Sequence, residues 1–308
     1  MIAYVISMRD LISPFFASDS NASSFLRDES GTRLLVSVVW LVGMLPLSLP
    51  KEINSLRYVS AFGVCSVVFL VIAMVSHALT NGMKTRDLST LEYVRTSNEA
   101  IVGASVFMFA FLCQTNAFEV YSEMEDASPA KLSHVTAYSM SGCCALYIIA
   151  GFFGYADFGN DVEDAVLKNY HPRTQPMFAI SFAGLAVKLC VAFALCALPA
   201  RDTIFYMLNM GHYQVVETKK RVLVCGTLSV AALLLGLFIP NITVVFGLLG
   251  SFSGSIIGFI FPALFVIYSG DWGISTVGVA DYLATWLLLL SGVGVLIFGT
   301  SASIYEMF

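Results

Sequence analysis

The chain has 308 residues, of which 57% are hydrophobic and only 12% are charged, with a net charge of −5. A water-soluble domain carries roughly a quarter charged residues, so a mean hydropathy of +0.80 excludes a soluble surface of this size and predicts a polytopic protein of the lipid bilayer. No basic run exceeds Lys219-Lys220-Arg221, which leaves nucleic-acid binding without an electrostatic footprint.

Met1–Ser7 is apolar but too short for a signal peptide, because Arg9-Asp10 follows at once. It reads as the tail of a longer spanning helix, and the chain is expected to be truncated at its N-terminus. A membrane helix needs about twenty mostly apolar residues. Eight stretches meet or approach this: Leu34–Pro50, Tyr58–Leu79, Ala100–Tyr121, Val135–Phe158, Pro176–Pro199, Val222–Pro240, Thr243–Tyr268 and Tyr282–Phe298. They are neither short nor alternating, as barrel strands would be. The predicted fold is all-α, with about eight full transmembrane helices and a partial one at the start.

Connections are short and marked by Pro, Gly or charge, as at Pro50-Lys51-Glu52, Pro240-Asn241 and Gly270-Asp271, and the longest are Met8–Arg33 and Thr80–Glu99. Counting Lys and Arg on the two sides does not decide orientation. The basic cluster Arg201–Arg221 favours one face as inside, and the sequon Asn21-Ala22-Ser23 favours the other as outside. All seven cysteines lie in apolar stretches and are expected to be small buried hydrophobes rather than a metal or disulfide framework.

Three segments stand out. In Ala100–Tyr121, the run Gln114-Thr115-Asn116 and then Glu119 interrupt an apolar helix. Unwound backbone is tolerated in lipid only where protein or a water-filled cavity surrounds it, which predicts a discontinuous helix lining a substrate site at mid-membrane depth. A kinked packing helix is the competing reading, and Glu119 could equally be solvated at the membrane face. Lys188 lies twelve residues into its span, about 18 Å along a helix. A lysine at that depth is a functional suspect, either lining the cavity or replacing a bound cation. A helix that starts later would instead let it snorkel to an interface. In the seventh full span, Gly250, Gly254 and Gly258 recur at four-residue spacing beside Ser251 and Ser255. Such a stripe serves close helix packing first, with the hydroxyls as possible ligand contacts.

Catalytic constellations are missing from the sequence: there is no His-Glu-x-x-His helix, no Gly-x-Ser-x-Gly elbow and no P-loop. His77, His134, His171 and His212 sit at or beyond span ends. Neither an enzyme nor a cofactor is expected.

The segments Phe109-Ala110-Phe111-Leu112-Cys113-Gln114 and Val120-Tyr121-Ser122-Glu123-Met124-Glu125-Asp126-Ala127-Ser128 resemble a signature run of the amino acid/auxin permease family, within the APC transporter superfamily. Gly151-Phe152-Phe153-Gly154-Tyr155-Ala156-Asp157-Phe158, Pro46–Lys51 with Leu56-Arg57-Tyr58, the helix end Pro199-Ala200-Arg201, and Phe246–Ser251 leading to Pro262 are similar to further family motifs, in order along the whole chain. Trypanosomatid-type permeases look like the nearest branch, because Cys-Gln-Thr-Asn stands where Cys-His-Pro is commoner. The resemblance implies an eleven-span inverted-repeat fold, with two spans and most of a third before Met1 and half of the substrate site among them. The 308 residues by themselves would then not transport. It also implies a secondary active or facilitative transporter of zwitterionic or cationic amino acids, working by alternating access. Substrate contacts would come from Phe111, Leu112, Cys113, Gln114, Thr115, Asn116 and Ser251, with Glu119 and Lys188 as proton-sensitive candidates. Sodium-coupled relatives offer a hydroxyl near the end of the eighth span, whereas Leu189–Pro199 has no Ser or Thr. A proton, or no coupling ion at all, is therefore expected. The host would be the plasma membrane or that of an acidic organelle. A non-transporting amino-acid sensor on the same fold, or a non-functional fragment, is the alternative.

Overall fold

A computed structural model describes residues 1–17, 28–49, 57–82, 96–209, 216–239, 242–270 and 272–305, and no strand occurs among them. The sequon at Asn21 lies outside the described residues. In chain order the helices are α1 (Ile2–Ala17), α2 (Glu29–Ser48), α3 (Arg57–His77), α4 (Asn98–Ala110), α5 (Ala117–Glu123), α6 (Pro129–Phe158), α7 (Pro176–Met207) and α8 (Thr218–Phe238). They are followed by α9 (Ile242–Leu248), α10 (Phe261–Tyr268), α11 (Ile274–Val277) and α12 (Val279–Tyr305). Wider π turns occupy Trp40–Met44, Ala78–Gly82, Leu249–Gly254 and Ile256–Ile260. Seven helices among the described residues are long and apolar enough to cross a membrane. The expected eighth, Ala100–Tyr121, is missing from that set because its helix is interrupted.

The chain divides into two units, Met1–Leu91 with Gly142–Pro240, and Glu92–Ser141 with Asn241–Phe308, the boundary falling inside α6. In the first unit α7 packs against α1, α2, α3 and α8. Its core combines Val5 and Met8 of α1, Trp40 and Met44 of α2, Met74 of α3, and Phe178, Phe182 and Phe193 of α7. Between spanning helices lipid tails are as apolar as the side chains, so close packing rather than water exclusion holds such a core together. In the second unit α4 lies against α9, α12 and the π turn Leu249–Gly254, with the rings of Phe109 and Phe246 stacked at 5.1 Å.

Three sequence expectations change. The charged pair Arg9-Asp10 does not end the first helix, which continues to Ala17. The Asp10 carboxylate is held by Lys168 Nζ at 3.2 Å, and Arg9 Nη1 donates to the Ile239 carbonyl at 3.0 Å. A buried charge costs several kcal/mol unless it is paired in this way. Pro199 does not end α7 either. Proline removes one backbone donor, but Ala197, Leu198, Arg201 and Phe205 on both sides of it are buried, and packing carries the helix on to Met207. Finally, only Cys190 and Cys225 are buried, while Cys65, Cys143 and Cys144 are exposed on α3 and α6. Apolar surroundings in sequence do not distinguish a core face from an outward one when a helix is apolar all round.

Candidate functional site

The interruption between α4 and α5 falls in the polar run. Helix α4 ends at Ala110, and Phe111 takes φ −98° and ψ 5°. That is the sparsely populated bridge region where many active-site residues sit. Phe111 N–H still reaches the Phe107 carbonyl at 3.2 Å, but Leu112 N–H turns to Phe109 at 3.1 Å, tightening the last turn. Cys113 N–H then donates to Oε1 of Gln114 at 3.0 Å. The side chain of Gln114 thus supplies an acceptor that a continuous helix would have drawn from the backbone, and this local competition is why the helix stops here. One 3-10 turn, Gln114–Asn116, leads into α5.

Beside the break is a cavity of about 360 Å³, lined by Phe107, Met108, Phe111, Leu112 and Gln114 on one side and by Gly258 and Phe259 on the other. The glycine stripe sets this spacing. A Cβ at Gly250 would overlap the Ser105 carbonyl of α4, whereas at Gly258 it would stand 3.3 Å from Leu112 Cδ1 and 3.9 Å from Gln114 Nε2. Small residues therefore bring the π-helical segment against α4 at one end and leave room at the other.

Of the candidates read from sequence, Phe111, Leu112 and Gln114 meet at this cavity, and Cys113 and Thr115 belong to the same break. The side chains of Asn116 and Glu119 lie outside the described residues. Ser251 does not line the cavity. It is buried, it receives a hydrogen bond from Thr300 Oγ1 of α12 at 3.2 Å, and its own hydroxyl approaches the Leu248 carbonyl at 3.4 Å. Ser255 is also buried, with no partner for its hydroxyl among the described residues. Lys188 belongs to the first unit, where its stem covers Gly63 of α3 at a distance that would leave 3.0 Å to an added Cβ.

The sequence reading missed two polar features of the first unit. His77 Nδ1 and Asp157 Oδ2 are 2.6 Å apart, and the Tyr170 hydroxyl donates to the same oxygen at 3.2 Å. The Tyr170 ring stacks on Phe178 at 4.1 Å and meets His77 edge-on at 5.5 Å. Burial, then the Asp157 charge, push the Tyr170 phenol above its ordinary range, so it stays a donor. A carboxylate one residue from the end of an apolar stretch was the available signal. The second feature is a cleft of about 320 Å³ bordered by Arg9, Asp10, Glu29, Arg33 and Lys168, the first four of which fall in the stretch read from sequence as the connection Met8–Arg33. No group of three or more His, Cys, Asp or Glu suited to a metal occurs among the described residues.

Residues 1–305 match the family described as transmembrane amino acid transporter protein. The chain is 28% identical over 320 aligned positions to the amino acid transporter AVT6E of Arabidopsis thaliana, covering 100% of this chain and 65% of that protein. It is 24% identical over 257 positions to the sodium-coupled neutral amino acid symporter 2 of Danio rerio, covering 76% of this chain and 51% of that protein. The chain thus spans between half and two thirds of the length of these relatives. With seven helices able to cross a bilayer and a family match over nearly all of its length, this is an integral, multi-pass membrane protein, a member of the transmembrane amino acid transporter protein family.

Proposed function

We propose that the chain forms part of a secondary active or facilitative amino acid transporter working by alternating access, and that the break between α4 and α5 contacts the substrate. The observation that carries this reading is the interruption at Phe111–Asn116 beside the cavity holding Gln114. Small-ligand sites run from about 300 Å³ upward and are mostly apolar with a few polar groups, and this cavity has that character. A helix C-terminus such as the end of α4 carries partial negative charge, which suits a substrate ammonium, and the Gln114 amide can bond either end of a zwitterion. Thr115 and Asn116 are further contact candidates, and Glu119 would favour a cationic side chain.

The proposed driving ion is a proton, or none, because Leu189–Pro199 lacks hydroxyls that would ligate sodium; Glu119 and Lys188 are the proton-sensitive candidates. The Danio rerio relative, a sodium-coupled symporter, favours sodium as the second reading. Radiolabelled amino-acid uptake into proteoliposomes tests both, using this chain and a form extended upstream of Met1. Saturable uptake by the extended form that persists when choline replaces sodium at constant pH is the expected result. Collapse of uptake in choline would establish sodium coupling, and the absence of uptake of any amino acid would remove the transport reading.

A further inference from the structure

Away from the helix break, the start of α8 carries an electrostatic imbalance that amino acid transport does not use. Its first turn reads Thr218-Lys219-Lys220-Arg221, with no acidic residue and no side-chain cap from Glu217. Three cations therefore sit on the positive end of a helix dipole, the reverse of the favourable arrangement. Lys219 and Lys220 are exposed. Arg221 is only 7% exposed, and its Nε and Nη1 find no acceptor among the described residues. A second guanidinium, Arg201 of α7, is 1% exposed and donates from Nε to Asp202 at 2.8 Å. Helices α7 and α8, which carry the two guanidiniums, pack against each other, and both guanidiniums act on the Cys225 thiol one turn along α8 from Arg221. The end of α7 and the start of α8 thus carry four cations, Arg201, Lys219, Lys220 and Arg221, against two carboxylates, Asp202 and Glu217. Nε and Nη1 of Arg221 are withdrawn from water with no acceptor among the described residues, and a buried charge of this kind is costly unless an anion pairs with it.

The depth of the cluster decides which anion. The apolar run of α8 begins at Val222, immediately after Arg221, so the cluster lies where a spanning helix meets the headgroup layer. Basic pockets between spanning helices at that level take lipid headgroups, and a planar guanidinium fork matches phosphate oxygens in pairs. We propose that Arg221 and Arg201, flanked by Lys219 and Lys220, bind the phosphate group of an anionic membrane phospholipid.

The test uses the purified full chain in neutral detergent, with thermal unfolding and lipid co-purification as readouts. Short-chain phosphatidylglycerol is expected to raise the unfolding midpoint and to co-purify, phosphatidylcholine to act weakly, and inorganic phosphate at equal concentration to do nothing. Arg221→Gln is expected to weaken phosphatidylglycerol binding about tenfold or more, as loss of a charge-assisted contact does. Without lipid, this variant should unfold at the same or a higher temperature than the parent, because an uncompensated buried charge has gone. The exposed double variant Lys219→Gln/Lys220→Gln gives an independent readout, with intermediate affinity and a shallower salt dependence. An equal lipid response in the parent and Arg221→Gln would overturn the proposal, as would a lower lipid-free midpoint of that variant together with unchanged binding by the lysine variant. A shift by inorganic phosphate as large as that by phosphatidylglycerol would replace the lipid with a free anion.

Discussion

At the ends of α3 and α6, His77, Asp157 and Tyr170 satisfy one another: two groups share one carboxylate oxygen, and aromatic rings close over them. Between α4 and α5, Gln114 Oε1 accepts from Cys113 N–H and the side chain borders a cavity of about 360 Å³. Both are polar insertions in apolar helices, yet one is closed on itself and the other is open. Polar groups that complete each other's hydrogen bonds specify packing, whereas polar groups left beside a cavity have capacity for a ligand. The closed cluster should therefore govern stability with little effect on substrate affinity, and the open break should do the reverse.

The most damaging change expected is Asp157→Ala, since it strips His77 and Tyr170 of their shared acceptor, and each group left unsatisfied costs about 1–3 kcal/mol. Thermal unfolding should register that loss, while whatever protein still folds keeps its KM for substrate. A raised KM with unchanged stability would invert the assignment of the two regions. Gln114→Ala should act oppositely. Loss of one hydrogen-bonding partner, about 1–3 kcal/mol, corresponds to a rise in uptake KM of roughly fivefold to 150-fold with a small change in unfolding temperature. An unchanged KM would remove Gln114 from the substrate site.

The glycine stripe sharpens the contrast within the open region. Gly250→Ala would force its Cβ into the Ser105 carbonyl, whereas Gly254→Ala meets nothing nearer than 3.7 Å. Overpacking of the first kind costs about 1–3 kcal/mol, so unfolding measurements should separate the two variants, and equal destabilisation would contradict the packing described. In the closed cluster, Tyr170→Phe removes one hydrogen bond to a charged group, about 1.5–3 kcal/mol at neutral pH. The Tyr170 pKa is raised in the folded chain, so its contribution is complete below the ordinary tyrosine value, near pH 10, and is lost as pH rises beyond it. The parent should therefore lose stability at alkaline pH more steeply than the variant, and parallel profiles would separate Tyr170 from the effect.

The sequence by itself determined the class, the all-α fold, the family and the position of the helix break. Those features rest on local quantities: the length of an apolar run, the scarcity of charge, and three polar residues in succession at Gln114-Thr115-Asn116. The tertiary structure decided what local signals cannot carry. Arg9 and Asp10 remain in a helix because Lys168 and the Ile239 carbonyl, distant in sequence, take up their charges. Pro199 stays inside α7 because residues on both sides of it are packed. Ser251 is turned to Thr300 rather than to the cavity, and neither residue's partner is visible from its own neighbours. His77, read as a residue at a span end, is joined to Asp157 eighty positions away. In a chain apolar around every helix, periodicity no longer marks the buried face, so which polar residue meets which partner is set only when the helices pack.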